Sequence, residues 1–206
     1  MAQPVLQEFS WERAEAAVVA VRDRLLRATA ALDGAGVPYA VIGGNAVAAW
    51  VGRVDGSWVR PTADVDLLLR RPDFERARVA LATAGFRYRH AAGIDVFLDG
   101  PSGRARDAVH VIFACEKVRP QYPVAAPDVD ESEPAIPYSD QPVPVTPRRI
   151  LALDALVRMK LTSYRLKDRV HLQDMIAVGL IDASWYGRLP EPLADRLRVI
   201  LENPED

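Results

Sequence analysis

The sequence has 206 residues, of which 50% are hydrophobic and 26% charged, and its net charge at pH 7 is −2. This length predicts one compact domain, alone or with a small helical appendage, and the composition supports a sizeable core. The small negative charge argues against a strongly basic nucleic-acid-binding protein. Because Cys115 is the only cysteine, a disulfide framework and a cysteine-rich zinc site are both excluded.

Membrane and export signals are missing from the pattern of apolar residues. No stretch approaches about 18 uninterrupted apolar residues, and the N-terminus lacks the apolar segment of a signal peptide. We therefore expect no contact with a membrane and a reduced, cytoplasmic setting.

The first half of the chain predicts a helix followed by alternating strands and helices. Apolar residues recur at helical spacing after Ser10, a favourable N-cap, and glycines follow at Gly34 and Gly36. Short apolar runs bounded by turn residues predict buried strands, and proline in a first turn favours a further helix. The predicted elements are a helix over Trp11–Leu32, a strand over Tyr39–Gly43, a helix over Gly44–Val51, a strand over Val65–Leu69 and a helix over Pro72–Ala84.

The second half predicts a strand meander, a proline-rich linker and a helical end. Residues 119–147 contain eight of the sixteen prolines, which favours a long surface loop with one short strand at Val143–Val145. Thr146 and Pro147 resemble an N-cap and first helical residue, which predicts a helix continuing through Met159. The other predicted elements are strands over Phe86–His90, Ile94–Leu98 and Ala108–Ala114, and helices over Leu166–Val178 and Pro192–Leu201.

These elements predict an α+β fold in which a small mixed β-sheet is flanked by helices and followed by a helical C-terminal part. We expect three segments: a core over 1–118, the proline-rich loop over 119–147 and the helical part over 148–206.

Two aspartates on the strand Val65–Leu69 carry the strongest chemical signal. Side chains alternate along a strand, so Asp64 and Asp66 project to the same face, roughly 6.6 Å apart along the chain. Neighbouring carboxylates repel each other unless a cation lies between them, and Mg²⁺ prefers such oxygen ligands. The glycines Gly43 and Gly44 precede a helix, whose first backbone N–H groups are suited to binding a phosphate.

The pair Gly43-Gly44 followed by Asp64-x-Asp66 on the next strand resembles the signature of the DNA polymerase beta-like nucleotidyltransferase superfamily. The lead-in from Arg60 through Thr62 is similar to that of the small prokaryotic members, including the abortive-infection toxin type. This resemblance covers residues 37–70. A weaker similarity follows in a basic helical segment that contains Lys160, Arg165, Lys167 and Asp168.

The resemblance implies an enzyme that transfers a nucleoside monophosphate from a nucleoside triphosphate to a protein hydroxyl, an RNA end or a small molecule. It implies that Asp64 and Asp66 hold Mg²⁺, with Mn²⁺ as the alternative ion. Phosphate-binding roles fall to Gly43, Gly44 and Asn45, with Arg60, Thr62 and Lys160 as further nucleotide contacts. The same similarity is compatible with a catalytically impaired toxin–antitoxin or regulatory protein on this fold.

The third acidic position of the superfamily is the main departure. The strand Ala108–Ala114 is its counterpart, and His110 stands at the expected place. Histidine can act as a general base near neutral pH but is a poor magnesium ligand. Asp95 and Asp107 are the alternative sources of a third carboxylate.

Structural explanations compete with each of these assignments. The glycine pair is also compatible with a tight turn, and the aspartates with solvated charges at a strand edge. His110 fits a cleft residue without a chemical role, and the basic cluster Arg158–Arg169 fits an exposed helix face. The rival functional hypothesis is therefore a catalytically impaired protein that binds a nucleotide or a partner through the same fold.

Overall fold

A computed structural model describes residues 10–91, 93–135 and 147–203. Seven strands and six α-helices lie in this described part. The strands are β1 Tyr39–Ile42, β2 Val65–Leu69, β3 Phe86–Ala91, β4 Ile94–Asp99, β5 Val109–Phe113, β6 Ser132–Ala135 and β7 Arg148–Leu151. The helices are α1 Trp11–Gly34, α2 Gly43–Gly52, α3 Phe74–Thr83, α4 Leu153–Ser163, α5 Leu166–Ala177 and α6 Glu191–Glu202.

All seven strands form one mixed sheet in the order β3-β4-β5-β2-β1-β7-β6. Strand β2 is central, antiparallel to β1 and parallel to β5. Strand β1 in turn pairs in parallel with β7. The predicted α+β class with a mixed sheet is confirmed.

Each face of the sheet covers its own hydrophobic core, because alternate residues of the central strands point in opposite directions. One core contains Val65 and Leu67 of β2 together with buried residues of α1 and α3. The other contains Leu68 of β2 and buried residues of α2, α4, α5 and α6. The second face also carries the charged side chains of β2, so the C-terminal helices pack on the side where chemistry is expected.

The predicted helix from Thr146 is wrong in its first turns. Residues Arg148–Leu151 form strand β7, and helix α4 begins only at Leu153. Val41 of β1 is the register partner of Ile150, whose side chain is buried. Pairing with an existing sheet and burial of apolar side chains outweigh the local helix signal of Thr146-Pro147.

The described part of the proline-rich segment contains a strand that was not predicted. Its residues Ser132–Ala135 form the edge strand β6, antiparallel to β7, after a 3₁₀ turn at Val129–Glu131. Pro134 is tolerated because an edge strand leaves one row of backbone donors unpaired. The predicted strand Val143–Val145 lies outside the described residues.

Within the described ranges, no helix combines the length and the apolar character needed to cross a lipid bilayer.

Candidate active site

Strand β2 presents two carboxylates on the face covered by α2 and α5. Asp66 lies within β2 and Asp64 directly precedes it, whereas Val65 and Leu67 are fully buried in the opposite core. The side chains of both aspartates are about one-fifth exposed, 19% for Asp64 and 18% for Asp66. The alternation predicted from the sequence therefore holds, and both charges face a partly open cleft.

Strand β5 places His110 beside these carboxylates. Asp66 and His110 are register partners in the parallel pair β2–β5, so their side chains share a face. The imidazole Nδ1 is 3.4 Å from Asp66 Oδ1 and 3.7 Å from Asp64 Oδ2. Ligand atoms of the three residues all lie within 4.8 Å of one another, and no other group of three metal-binding side chains occurs among residues 10–91, 93–135 and 147–203.

The orientation of the His110 ring is fixed by its second nitrogen. Nε2 lies 2.8 Å from the carbonyl oxygen of Ala105 and donates its hydrogen to it. In neutral imidazole this leaves the lone pair on Nδ1, facing the aspartates. The hydrogen bond with Asp66 raises the pKa of His110, and burial only partly opposes that change.

The contact between His110 and Asp66 also changes the pKa of Asp66. Burial acts to raise the pKa of its carboxyl, but the hydrogen bond with His110 and the charges of Lys167 and Lys160 outweigh it. The pKa of Asp66 is therefore lowered. The site stabilises ionised Asp66 by surrounding it with positive charge.

Gly43 and Gly44 make room for the polar side chains of the site. The backbone of Gly43 has φ of +67°. A Cβ on this residue would lie 2.0 Å from Asp66 Oδ2, and one on Gly44 would lie 2.9 Å from Thr62 Oγ1. Gly43 is also the first residue of α2, which has no side-chain cap at its N-terminus. The first backbone N–H groups of α2 therefore remain available to an anion in front of Asp66.

Thr62 and Asn45 hold Asp64 in place. The Thr62 hydroxyl donates to Asp64 Oδ1 at 2.9 Å, and Asn45 Nδ2 donates to the Asp64 backbone carbonyl at 2.9 Å. Asn45 thereby ties the first turn of α2 to the residue that precedes β2. The predicted role of both residues as nucleotide contacts stays a prediction.

Arg60 binds a buried acid on α5. Its Nε donates to both carboxylate oxygens of Asp174, at 3.0 and 2.8 Å. The Asp174 side chain is 3% exposed, whereas that of Arg60 is 57% exposed. Arg60 also lines a small cavity with Gly44 and His171, so it borders the glycine turn from the side of α5. Its contact with a nucleotide stays a prediction.

Helices α4 and α5 each place a lysine near the aspartates. Of these two lysines, only Lys160 was predicted from the sequence as a site residue. Lys167 Nζ lies 3.9 Å from Asp64 Oδ2, and its side chain is 51% exposed, so the exposed helix face expected from the sequence also borders the cleft. Lys160 is only 5% exposed, which excludes the interpretation of a solvent-facing lysine. Burial lowers the pKa of Lys160, and Asp168 opposes that change. In the sequence, both lysines were indicated by the similarity of the segment Lys160…Lys167-Asp168 to a helical segment of the superfamily.

Asp168 connects this cationic group and was missed by sequence analysis as a site residue. Its buried carboxylate accepts from Lys160 Nζ at 3.2 Å, Ser163 Oγ at 2.7 Å and Arg165 Nε at 2.8 Å. Burial acts to raise its pKa, but the hydrogen bond from Arg165 and the charge of Lys160 lower the pKa of Asp168 to about 2. Asp168 therefore stays ionised and fixes the position of Lys160.

Neither alternative carboxylate reaches the site. Asp95 is the register partner of Val111, which places it on the opposite face of the sheet from His110. Tyr88 and His90 bind the Asp95 carboxylate there. Asp107 forms ion pairs with Arg104 and Arg106. The expectation that Asp95 supplies a third acid is wrong, because the strand alternation turns it away.

Comparison with solved structures identifies the architecture. The antibiotic-resistance factor ANT(2'')-Ia, in its solution structure, matches with a TM-score of 0.53 and 14% identity, over 92% of this chain and 94% of that chain. An antigenic nucleotidyltransferase-like protein from Paracoccidioides brasiliensis matches with a TM-score of 0.51 and 16% identity, over 93% and 88%.

The chain has a nucleotidyltransferase fold. Identities this low establish the architecture and leave the reaction to be argued from the site itself. The nucleotidyltransferase toxin MenT4 of Mycobacterium tuberculosis H37Rv matches with a TM-score of 0.47 and 18% identity, over 93% of this chain and 65% of that chain. That score is too low to add to the assignment. No protein-family model and no curated protein matches the sequence.

Replacing Gly43 with alanine tests whether a Cβ at this position would clash with Asp66. Gly36 has a similar φ of +61° but open space around its Cβ position, so Gly36→Ala measures backbone strain alone. We expect Gly36→Ala to cost about 1 kcal/mol of unfolding free energy. Gly43→Ala should cost at least about 2 kcal/mol, because Asp66 must also move. Urea denaturation measures both, and equal costs would contradict this account.

The pH dependence of the unfolding free energy should reveal the contribution of the buried Asp168. Because its folded pKa of about 2 lies below the ordinary value of 3.8, its contribution is present above pH 4 and is lost as the pH falls towards 2. We expect Asp168→Asn to lower the unfolding free energy by at least about 2 kcal/mol at pH 7, with a smaller difference at pH 3. Asp195→Asn, which breaks an exposed pair with Arg198, should cost less than about 1 kcal/mol. A pH-independent difference for Asp168→Asn would contradict the assignment.

Proposed function

We propose that the protein transfers a nucleoside monophosphate from a nucleoside triphosphate to the hydroxyl group of an acceptor. The observation that carries this proposal is the grouping of Asp64, Asp66 and His110 in front of the uncapped N-terminus of α2. A cation site and an anion site then adjoin each other, which is the arrangement that a metal-bound triphosphate requires.

The donor set suits a hard divalent cation. Two carboxylates lie on one face, and the missing Cβ of Gly43 permits the close approach of Asp66 to the helix end. Asp64 and Asp66 would hold Mg²⁺, with Mn²⁺ favoured more strongly than usual if the imidazole also binds. When bound, the ion neutralises negative charge on the triphosphate during in-line displacement.

Two further steps, removal of a proton from the acceptor and binding of the phosphates, would fall to groups of this chain. When its imidazole is neutral, His110 would take the proton of the attacking hydroxyl at Nδ1, since Nε2 donates to Ala105. The imidazolium formed in this way would donate from Nδ1 to Asp66. The acceptor oxygen then forms a bond to the α-phosphorus as the bond to pyrophosphate breaks. The backbone N–H groups at Gly43, Gly44 and Asn45 would bind phosphate oxygens.

Positive charge on the other side of the cleft supports the same assignment. Lys167 lies close to Asp64, and Lys160 is held by Asp168 near enough to lower the pKa of Asp66. Both would attract the triphosphate as point charges. Arg60 would contribute from the side of α5, where it borders Gly44. The acceptor is a protein hydroxyl, an RNA end or a small molecule, and a toxin–antitoxin role depends on which one reacts.

A second candidate function is nucleotide binding without transfer. Among the described residues, no third carboxylate joins Asp64 and Asp66, and histidine stands in its place. A site with fewer acidic ligands holds a hard ion less tightly. In that case the same cleft would bind the nucleotide or a partner protein and not turn it over.

The metal assignment is tested by titrating Mg²⁺ and Mn²⁺ into the protein and following the heat of binding. We expect saturable binding that disappears in the double variant Asp64→Asn with Asp66→Asn. This variant should be somewhat less stable than the parent at neutral pH, because His110, Lys167 and Lys160 stabilise the ionised form of Asp66. Circular dichroism verifies that it remains folded. Asp95→Asn, on the opposite face, is the control and should bind metal normally. Unchanged binding by the double variant would refute the site.

Variants of His110 distinguish the two candidate functions. With a radiolabelled nucleoside triphosphate and a mixture of acceptors, His110→Ala should reduce labelling at least about a hundredfold if the histidine is the base. If the parent only binds nucleotide, it shows no labelling above the Asp64→Asn variant. His110→Asp should strengthen Mg²⁺ binding in either case, because a carboxylate oxygen is a better ligand than imidazole for a hard ion.

A further inference from the structure

The sheet face that carries the site extends beyond His110 to the edge strand β3. Register partners on neighbouring strands point to the same face of a sheet. Asp66 is the register partner of His110, and Val96 of β4 is the next residue in that row. Arg89 of β3 is the register partner of Val96. These four residues therefore form one row across the face on which the site lies.

Two exposed arginines lie at the end of this row. Arg87 is two residues from Arg89 on β3, so both point to the site face. Both are exposed, and neither forms an ion pair or a hydrogen bond with another described residue. Other arginines bind a carboxylate, as Arg71 binds Glu116. The guanidinium groups of Arg87 and Arg89 are therefore available to an anionic ligand.

The turn before β5 adds positive charge beside the same row. It begins at Ala105 and packs against β4, and the Ala105 carbonyl accepts the hydrogen bond from His110. Arg104 and Arg106 share the carboxylate of Asp107, and their side chains are 65% and 72% exposed. One carboxylate balances only one of the two guanidinium groups, so positive charge remains. The chain as a whole carries a net charge of −2, so this basic surface is a local feature.

The order of strands separates the two substrates of the proposed reaction. Gly43, where the triphosphate would bind, follows β1 on one side of Asp66. His110 and then Arg89 lie on the other side. In-line displacement requires the attacking oxygen and the leaving pyrophosphate on opposite sides of the phosphorus. The acceptor would therefore approach from the side of β4 and β3, across the surface that carries the arginines.

On the basis of the transfer reaction proposed above, we propose that the acceptor is the end of a single-stranded nucleic acid, whose phosphates bind Arg87 and Arg89. A strand repeats one phosphate at every nucleotide, and neighbouring unpaired arginines suit such a series of anions. A protein hydroxyl or a neutral small molecule brings no such series of charges to the arginines.

The spacing of the sheet fits a short stretch of strand. Because β3 and β5 are two strands apart, the backbones of Arg89 and His110 are about 10 Å apart. This distance corresponds to about three nucleotides of a stacked strand, which rises about 3.4 Å per nucleotide. Val96 lies between them, and Ile94 on the same face of β4 is 48% exposed. Bases would cover this apolar surface while their phosphates bind the arginines.

Binding is tested by fluorescence anisotropy with a short single-stranded RNA labelled at its 5′ end, without nucleotide or metal. Arg87→Gln with Arg89→Gln should weaken binding at least about tenfold at low salt. The slope of log affinity against log salt concentration should become shallower by about 1.4, because each phosphate contact to a single strand contributes about 0.7.

Arg76→Gln with Arg78→Gln is the matched control. It removes the same two charges from α3, which packs on the opposite face of the sheet, and it should bind RNA like the parent. A parent that does not bind the RNA overturns the proposal, as does an equal loss of binding in the two double variants. Circular dichroism verifies that both double variants remain folded.

Transfer is tested with the same RNA as acceptor and a radiolabelled nucleoside triphosphate. Below saturation, Arg87→Gln with Arg89→Gln should reduce labelling of the RNA by about the same factor as its binding. RNA labelling that this variant leaves unchanged, or labelling confined to a protein or a small molecule, overturns the proposal. RNA binding that depends on the arginines, without labelling of any acceptor, supports the binding surface and refutes the transfer reaction.

Discussion

The close approach of two like charges on β2 is the constraint on which the rest of this structure depends. Asp64 and Asp66 face the same cleft, and their mutual repulsion requires compensation. The parallel pairing of β2 with β5 brings His110 to the same row of the sheet. The left-handed backbone of Gly43 admits Asp66 to the end of α2. The sheet register and the glycine turn thus both contribute to compensating the repulsion between the two aspartates.

Compensation also explains why the C-terminal helices pack where they do. Lys160 is nearly buried and would be costly there without a partner, and Asp168 provides it. The same carboxylate holds Arg165 at the start of α5. Lys167 then faces Asp64 from the first turn of that helix. Charges of the helical part therefore lie beside the cleft of β2.

The fold and the reaction rest on different kinds of support. Overall similarity to proteins of nucleotidyltransferase fold establishes the arrangement of strands and helices. Function depends on what three side chains do with a cation and a triphosphate. The substitution of histidine for a third acid changes the ligand set, and hence the balance between binding a nucleotide and transferring it. That balance is a property of this chain and not of its fold.

Local sequence patterns determined much of this protein and failed where distant segments meet. The strand Val65–Leu69 and the shared face of the paired aspartates follow from alternation, because side-chain direction along a strand is a local property. The place of His110 was expected from the family resemblance, and the pairing of β2 with β5 brings it beside the aspartates. Strands β6 and β7 could not be predicted, since their stability comes from the pairing of β7 with β1 and of β6 with β7.

The same distinction holds within the site. The family resemblance placed Lys160, Lys167 and Asp168 in one basic helical segment, but it did not indicate that Asp168 binds Lys160 or that Lys167 faces Asp64. Likewise, it left Asp95 open as a third acid, until the antiparallel register turned that residue to the other face. Burial and contacts between charges depend on which elements pack together, and only the tertiary structure decides that.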